Sequence, residues 1–130
     1  MALIKPRFKQ LTPHFSTTEL VDRSTGQAPS LAALQKLAEF AEMIRHEMGD
    51  LPIHITSGYR TPKHNAEVGG ATDSQHIHCK AIDFVVRGLT VRETWRLCRE
   101  LQKQGIIGGL GRYATWVHAD FGPKRNWDGP

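Results

Sequence analysis

Apolar positions along this chain recur at helical spacing in some stretches and at strand spacing in others, with turn-forming residues between them. The longest periodic run is LAALQKLAEFAEMIRHEMG. In it Leu31, Leu34, Leu37, Ala38, Ala41, Ile44 and Met48 form one stripe, Ser30 stands at the N-cap and Gly49 closes the run. The pattern predicts the main core helix. A second helix is expected for VRETWRLCRELQKQG, where Thr90 and Glu93 have the spacing of a capping box and Gly105 ends the segment. Cys98 falls at the spacing of Val91, Trp95 and Leu101, so it reads as a core thiol. A turn or two of helix is predicted in FSTTEL, with Ser16 and Glu19 as capping box and Phe15 and Leu20 placed to staple its ends.

Strand spacing appears where Ile53 and Ile55 alternate with His54 and Thr56, and the run AIDFVV, residues 81–86, reads as a strand buried on both faces. The last third, GIIGGLGRYATWVHADFGPKRNWDGP, reads as strands joined tightly near Tyr113 and Ala114, with Trp116, His118 and Asp120 alternating against Val117 and Ala119. Residues 1–14, which hold Pro6 and Pro13, are expected to form an irregular arm, and residues 61–75 a loop. Helices followed by strands broken by one helix predict an α+β fold, an antiparallel sheet with helices packed on it. The 130 residues suit one domain spanning 1–130.

Composition narrows the function classes. The formal charge is +4, but no window holds the run of Lys and Arg that marks a nucleic-acid arm, so a nucleic-acid partner is not expected. A basic protein is also drawn to anionic polymers of a bacterial envelope. Two cysteines cannot build a disulfide framework. The opening MALIKPRFKQLTPHF lacks the apolar core of a signal peptide, so synthesis in the cytoplasm is expected, followed by action on the wall after release or as part of a virion. No segment approaches the roughly 18 apolar residues of a membrane span, and no apolar stripe is left over, so a monomer without stable membrane insertion is expected.

The stretch SQHIHCKAID places two histidines, a cysteine and an aspartate within ten residues. A catalytic zinc commonly takes three protein ligands and leaves one position open, and His76, Asp83 and His118 are the candidate ligands. By spacing alone a polar loop without metal explains the run as well. SGYRTPKHNAEVGGATDSQHIHCKAIDF followed by WVHADFGPKRNW, however, resembles the zinc D-alanyl-D-alanine metallopeptidase family, which includes D,D-carboxypeptidases, L-alanyl-D-glutamate endopeptidases of phage lysins and murein endopeptidases. The family pattern falls on residues 57–60, on Ser74, His76, Ala81 and Asp83, and on His118 with Asp120. FSTTEL and the long helix resemble the front end of its phage and prophage members.

The resemblance implies the small α+β fold shared with the Hedgehog signalling domain, zinc held by His76, Asp83 and His118, and Arg60 contacting substrate or oxyanion. It implies a peptidoglycan peptidase acting on stem peptides or their cross-links, in an endolysin-like setting. Ser74 and Trp116 are the other expected substrate contacts.

Two positions depart from the family. Cys79 replaces the glycine normally three residues after the first ligand, and is either a buried thiol or a further ligand. Thr115 occupies the position of the usual acidic general base and cannot take a proton near neutral pH. Asp120 is the substitute to consider, either as base or as a carboxylate orienting a ligand. His78 is either an auxiliary base or oxyanion donor, or an exposed loop residue. The other histidines, His14, His46, His54 and His64, read as structural or surface residues. The missing acid leaves a catalytically silent zinc-containing peptidoglycan-binding module as the alternative function. A metal-dependent nuclease would give SGYR and AIDF no role.

Overall fold

The stripe centred on Leu34, Leu37, Ala38, Ala41 and Ile44 becomes the buried face of a helix, α2 (Leu31–Glu47), in a computed structural model that describes residues 2–130. Ser30 Oγ accepts from Ala33 N–H at 3.0 Å, so the expected cap is the one used. Leu31 is 41% exposed and Phe40 joins the core instead. α1 (Thr17–Leu20) and α4 (Val91–Lys103) start at their expected boxes: Glu19 accepts from Ser16 N–H at 3.0 Å and Glu93 from Thr90 N–H at 2.9 Å. Cys98 is fully buried. α2 and α4 touch each other and lie against a five-stranded sheet, and the apolar residues between these layers form the core. Among the described residues, no helix is long and apolar enough to cross a membrane.

The sheet runs β3-β4-β6-β5-β7, formed by β3 (Ile53–Ser57), β4 (Ala81–Val86), β5 (Gly109–Arg112), β6 (Val117–Asp120) and β7 (Arg125–Asp128). The α+β class is as expected, but the sheet is mixed, because β7 pairs with β5 in parallel. The reason is steric. β4 already occupies the far edge of β6, so the chain reversing after β6 crosses the end of β5 and pairs with its free edge, running in the direction of β5. Gly108 permits the crossing, because a Cβ there would collide with the carbonyl of Gly122.

Two segments expected to be irregular are ordered. β1 (Gln10–Thr12) pairs with β2 (Phe15–Ser16), and Ile4 bridges Ala28. Within residues 61–75, α3 (Pro62–Glu67) begins at Thr61, whose Oγ1 accepts from His64 N–H at 3.1 Å, with Pro62 in the first turn.

A buried carboxylate joins α1 to α3. Asp22 Oδ1 accepts from the backbone N–H groups of Ser24 and Thr25, both at 2.9 Å, and Oδ2 from Thr61 N–H at 2.8 Å and His64 Nδ1 at 2.9 Å. Next to this junction, Leu20 O accepts from Tyr59 N–H at 2.8 Å, and Gly58 lies against the Leu20 backbone where no Cβ would fit. Burial raises the pKa of Asp22, but the donors from Thr61, His64, Ser24 and Thr25 outweigh it and hold the carboxyl well below its ordinary value.

A carboxylate depressed in the folded state contributes stability above its unfolded pKa, about 4, and loses it as pH falls toward the folded value. Asp22→Asn should therefore destabilise the domain by about 3 kcal/mol near neutral pH. In urea titrations across pH, the gap between variant and wild type should narrow below about pH 4. A gap independent of pH would remove the charge of Asp22 from the account.

Candidate metal centre

One row of residues crosses the whole sheet. Register pairs join Ser57 to Asp83, Asp83 to His118, His118 to Gly111, and Gly111 to Trp127. Paired residues on neighbouring strands share a face, so the row gathers side chains from four strands at one place, with Gly111 on β5 leaving room between His118 and Trp127. His76 arrives from the turn preceding β4. Its Nε2 lies 3.1 Å from Asp83 Oδ1, and His118 Nδ1 lies 2.9 Å from the same oxygen. All three residues are buried, and one donor atom from each lies within 4.8 Å of the others, a grouping able to hold a metal ion.

Each of the three is braced from behind. His76 Nδ1 donates to Gly58 O at 2.7 Å, which leaves Nε2 facing Asp83. His118 Nε2 donates to Asp120 Oδ2 at 2.7 Å, which leaves Nδ1 for the cluster. Arg60 donates through Nη2 to Asp83 Oδ2 at 3.1 Å, leaving Oδ1 between the imidazoles. Such outer partners fix tautomer and orientation around metals. Burial pushes the His76 imidazole toward its neutral form against the pull of Asp83. Burial opposes the charged form of His118 too, but Asp120 and Asp83 on its two nitrogens raise its pKa. Burial raises the pKa of Asp83, and hydrogen bonds from His118 and His76 outweigh that effect, holding the carboxyl well below its ordinary range. Two imidazole nitrogens and one carboxylate oxygen match the donor set of a three-ligand zinc site.

The cluster lies in a cleft of about 710 Å³, lined also by Arg60, Ser74, Gln75 and Trp116. Ser74 Oγ accepts from His76 N–H at 3.2 Å, and Trp116 stacks on Tyr113 with ring centroids 4.5 Å apart. Asp120 stands behind His118 with no exposed surface and is not among the residues lining the cleft. Its Oδ1 accepts from Gly109 N–H at 2.9 Å and Gly122 N–H at 3.0 Å, and its Oδ2 from Arg125 at 2.9 Å. That placement suits the orienting role better than the role of base. Burial raises the pKa of Asp120, but bonds from His118 and the two backbone N–H groups hold it below its ordinary value.

His78 is not brought to the cluster. It pairs with Asp73 at 2.7 Å, exposed to solvent and outside the residues lining the cleft. Residues 74–79 form tight turns, with Ile77 N–H bonded to Ser74 O and His78 N–H to Gln75 O. In that geometry residues two apart do not share a side, as they would on a strand. Cys79 has φ of 58°, the left-handed conformation that favours glycine, and its side chain is buried among core residues. Burial pushes its thiol pKa up to about 12. Thr115 is exposed and does not line the cleft.

A family model described as Peptidase M15 matches residues 13–120, a span that contains the cluster and its braces Gly58, Arg60 and Asp120. The chain belongs to the peptidase M15 family. Over 114 residues it is 31% identical to the Zinc D-Ala-D-Ala carboxypeptidase of Streptomyces albus G, covering 85% of this chain and 42% of that protein. Over 84 residues it is 36% identical to the "Probable peptidoglycan L,D-endopeptidase MepK" of Haemophilus influenzae, covering 59% of this chain and 43% of that protein. This M15 chain thus spans under half the length of both relatives.

Arg125, Trp127 and Tyr113 also line the cleft, although no motif in the sequence marks them as site residues. A signal was present in the glycines of GGLGR. Glycine within a strand marks a close approach, and here the Asp120 carboxylate occupies the space of a Cβ on Gly109 and the Trp127 ring that of a Cβ on Gly111.

Cys79 and Cys98 are both buried with their thiol pKa values raised by burial, so thiol reagents should fail to label the native protein and should label both sites in urea. Cys79→Ala should bind as much divalent metal as the wild type by elemental analysis. A stoichiometric loss would make the thiol a ligand.

Proposed function

We propose that this domain is a zinc-dependent peptidase that hydrolyses a peptide bond in the stem peptides or cross-links of peptidoglycan. The observation that carries the reading is the braced His76, Asp83 and His118 cluster, set in an open cleft of about 710 Å³. The names of the two relatives, a zinc D-Ala-D-Ala carboxypeptidase and a probable peptidoglycan L,D-endopeptidase, support the substrate class. An endolysin-like phage or prophage setting rests on the likeness of FSTTEL and α2 to the front end of such proteins, and action as a monomer on the sequence leaving no apolar stripe over.

His76 would bind the ion through Nε2, Asp83 through Oδ1 and His118 through Nδ1, the atoms that face one another. Zinc in such a site supplies a Lewis acid for the scissile carbonyl and lowers the pKa of water to about 7. The chain's own residues supply position. Arg60 holds the Asp83 carboxylate so that a single oxygen meets the imidazoles. Gly58 O and Asp120 fix the ring tautomers, and Ser74 and Gln75 edge the cleft where a substrate backbone can bond. Trp116, stacked on Tyr113, forms an apolar wall.

The alternative, a silent binding module, is favoured by two observations: Thr115 is not acidic, and Asp120 is buried behind His118. Mass spectrometry of muropeptides incubated with the zinc-loaded protein separates the two. New fragments are expected, whereas binding without cleavage across several wall types would establish the module.

Replacing His76, Asp83 or His118 by Ala should remove zinc and activity together. Asp120→Asn should weaken zinc affinity by about 10- to 100-fold, with activity largely recovered in excess zinc, because an orienting partner acts through the ligand. A fall in kcat of about 100-fold or more at unchanged zinc affinity would instead make Asp120 the group that moves the proton.

A further inference from the structure

The geometry points to Arg125 as a carboxylate-binding residue of the cleft, recognising a free carboxylate on the peptide beside the bond presented to the metal cluster. This inference rests on the peptidase reading and names a feature of its substrate.

The cleft has two arginines in different situations. All three nitrogens of the Arg60 guanidinium already donate: Nε to Ser57 Oγ at 3.0 Å, Nη1 to Asn65 Oδ1 at 3.4 Å and Nη2 to Asp83 Oδ2 at 3.1 Å. Its side chain is only 16% exposed. Arg60 is therefore fixed as the brace of a ligand, and its charge is matched by Asp83. Asn65, which holds Nη1, is buried and also donates to Ala71 O at 2.8 Å, so the Arg60 network extends into the cleft wall formed by residues 68–75.

Arg125 lines the same cleft with its side chain 40% exposed. It donates from Nη1 to Pro123 O at 2.6 Å and from Nη2 to Asp120 Oδ2 at 2.9 Å, while its Nε has no acceptor among the described residues. The Asp120 charge is shared with His118 and two backbone N–H groups, so it does not belong to Arg125 alone. A guanidinium has five N–H donors in a rigid fork, and an exposed part of this one remains for a second acceptor.

Its position is also fixed relative to the chemistry. The Arg125 guanidinium carbon lies 5.2 Å from the Trp127 ring centroid, and that ring is 4.9 Å from the His118 ring. Trp127 thus touches both the arginine and a ligand. The two arginines differ in how they are paired: Asp83 offsets Arg60, whereas Arg125 shares the Asp120 carboxylate with His118 and two backbone N–H groups, and Asp73 is turned to His78. A carboxylate meeting an arginine fork gains paired, charge-assisted hydrogen bonds that an amide cannot match. Such a carboxylate can come from the peptide's C-terminus or from an acidic residue within it.

The test uses the zinc-loaded protein and synthetic stem-type peptides in three forms: fully free, amidated at the C-terminus, and amidated at the internal acidic residue. Titration calorimetry should show wild type preferring the fully free peptide over one amidated form by about 10- to 100-fold, and that form identifies the source of the carboxylate. Arg125→Gln should abolish the preference by weakening only the free peptide and Arg125→Lys should keep part of it, with every titration run at saturating zinc so that any loosening of Asp120 behind His118 is not read as lost peptide binding. Equal weakening of every form by Arg125→Gln, a preference that survives it, or no binding of any form to wild type would overturn the inference. Cleavage scored in the same samples judges the peptidase reading separately. A preference that depends on Arg125 without cleavage would uphold the subsite and refute the peptidase.

Discussion

The Asp83 carboxylate is the contact on which the site depends. One oxygen lies between His76 and His118 and the other accepts from Arg60, so a loop, two strands and the segment after β3 meet at a single side chain. This requires the register of β4 against β6 to place Asp83 opposite His118. A slip of one residue would turn either side chain to the opposite face of the sheet. The register is secured by what surrounds it: β4 is central and nearly all buried, Ile82 and Phe84 belong to the core, and Val117 and Ala119 do the same on β6. Alternation along both strands therefore packs one face while aiming the polar residues at the other.

Those local patterns explain how much of the fold is legible in the sequence. Capping boxes at Ser16 and Thr90, the cap at Ser30, the stripe of α2 and the alternation around Ile53 are set by neighbours a few residues away, and each stands where the pattern put it. His76, Asp83 and His118 converge as the family resemblance implied. Misreadings arose where a short-range rule met the wrong local geometry. Residues 74–79 are turns, so the strand rule that placed His78 beside His76 does not apply. Thr61 followed by Pro62 carried a helix start, but the glycines and polar residues after it made the whole segment read as loop.

The less legible part depends on the far end of the chain crossing β5. Nothing close in sequence tells Arg125 and Trp127 that they will pair in parallel with Gly109 and Gly111, and the pairing exists because β4 has taken the other side of β6. The two glycines then act as spaces. Asp120 reaches the Gly109 N–H because no Cβ intervenes, and the Trp127 ring settles over Gly111 beside His118. These glycines admit side chains from other strands, and that function is visible only once the strands are neighbours.

Burial of charge ties the fold to the chemistry. An unpaired carboxylate in a low-dielectric interior is strongly unfavourable, and among the described residues three carboxylates are buried: Asp22, Asp83 and Asp120. Each is matched by a histidine and by further donors. Asp22 has His64 and the N-terminal turn of α3, Asp83 has His76, His118 and Arg60, and Asp120 has His118 and Arg125. The first of these fastens α1 to α3 on either side of residues 57–61, the segment that carries Gly58 O and Arg60 to the cluster. The stability of a junction with no ligand atom of its own therefore sets how firmly His76 and Asp83 are held. Substitutions there should disturb metal affinity through position, while those at Asp120 act on His118 directly.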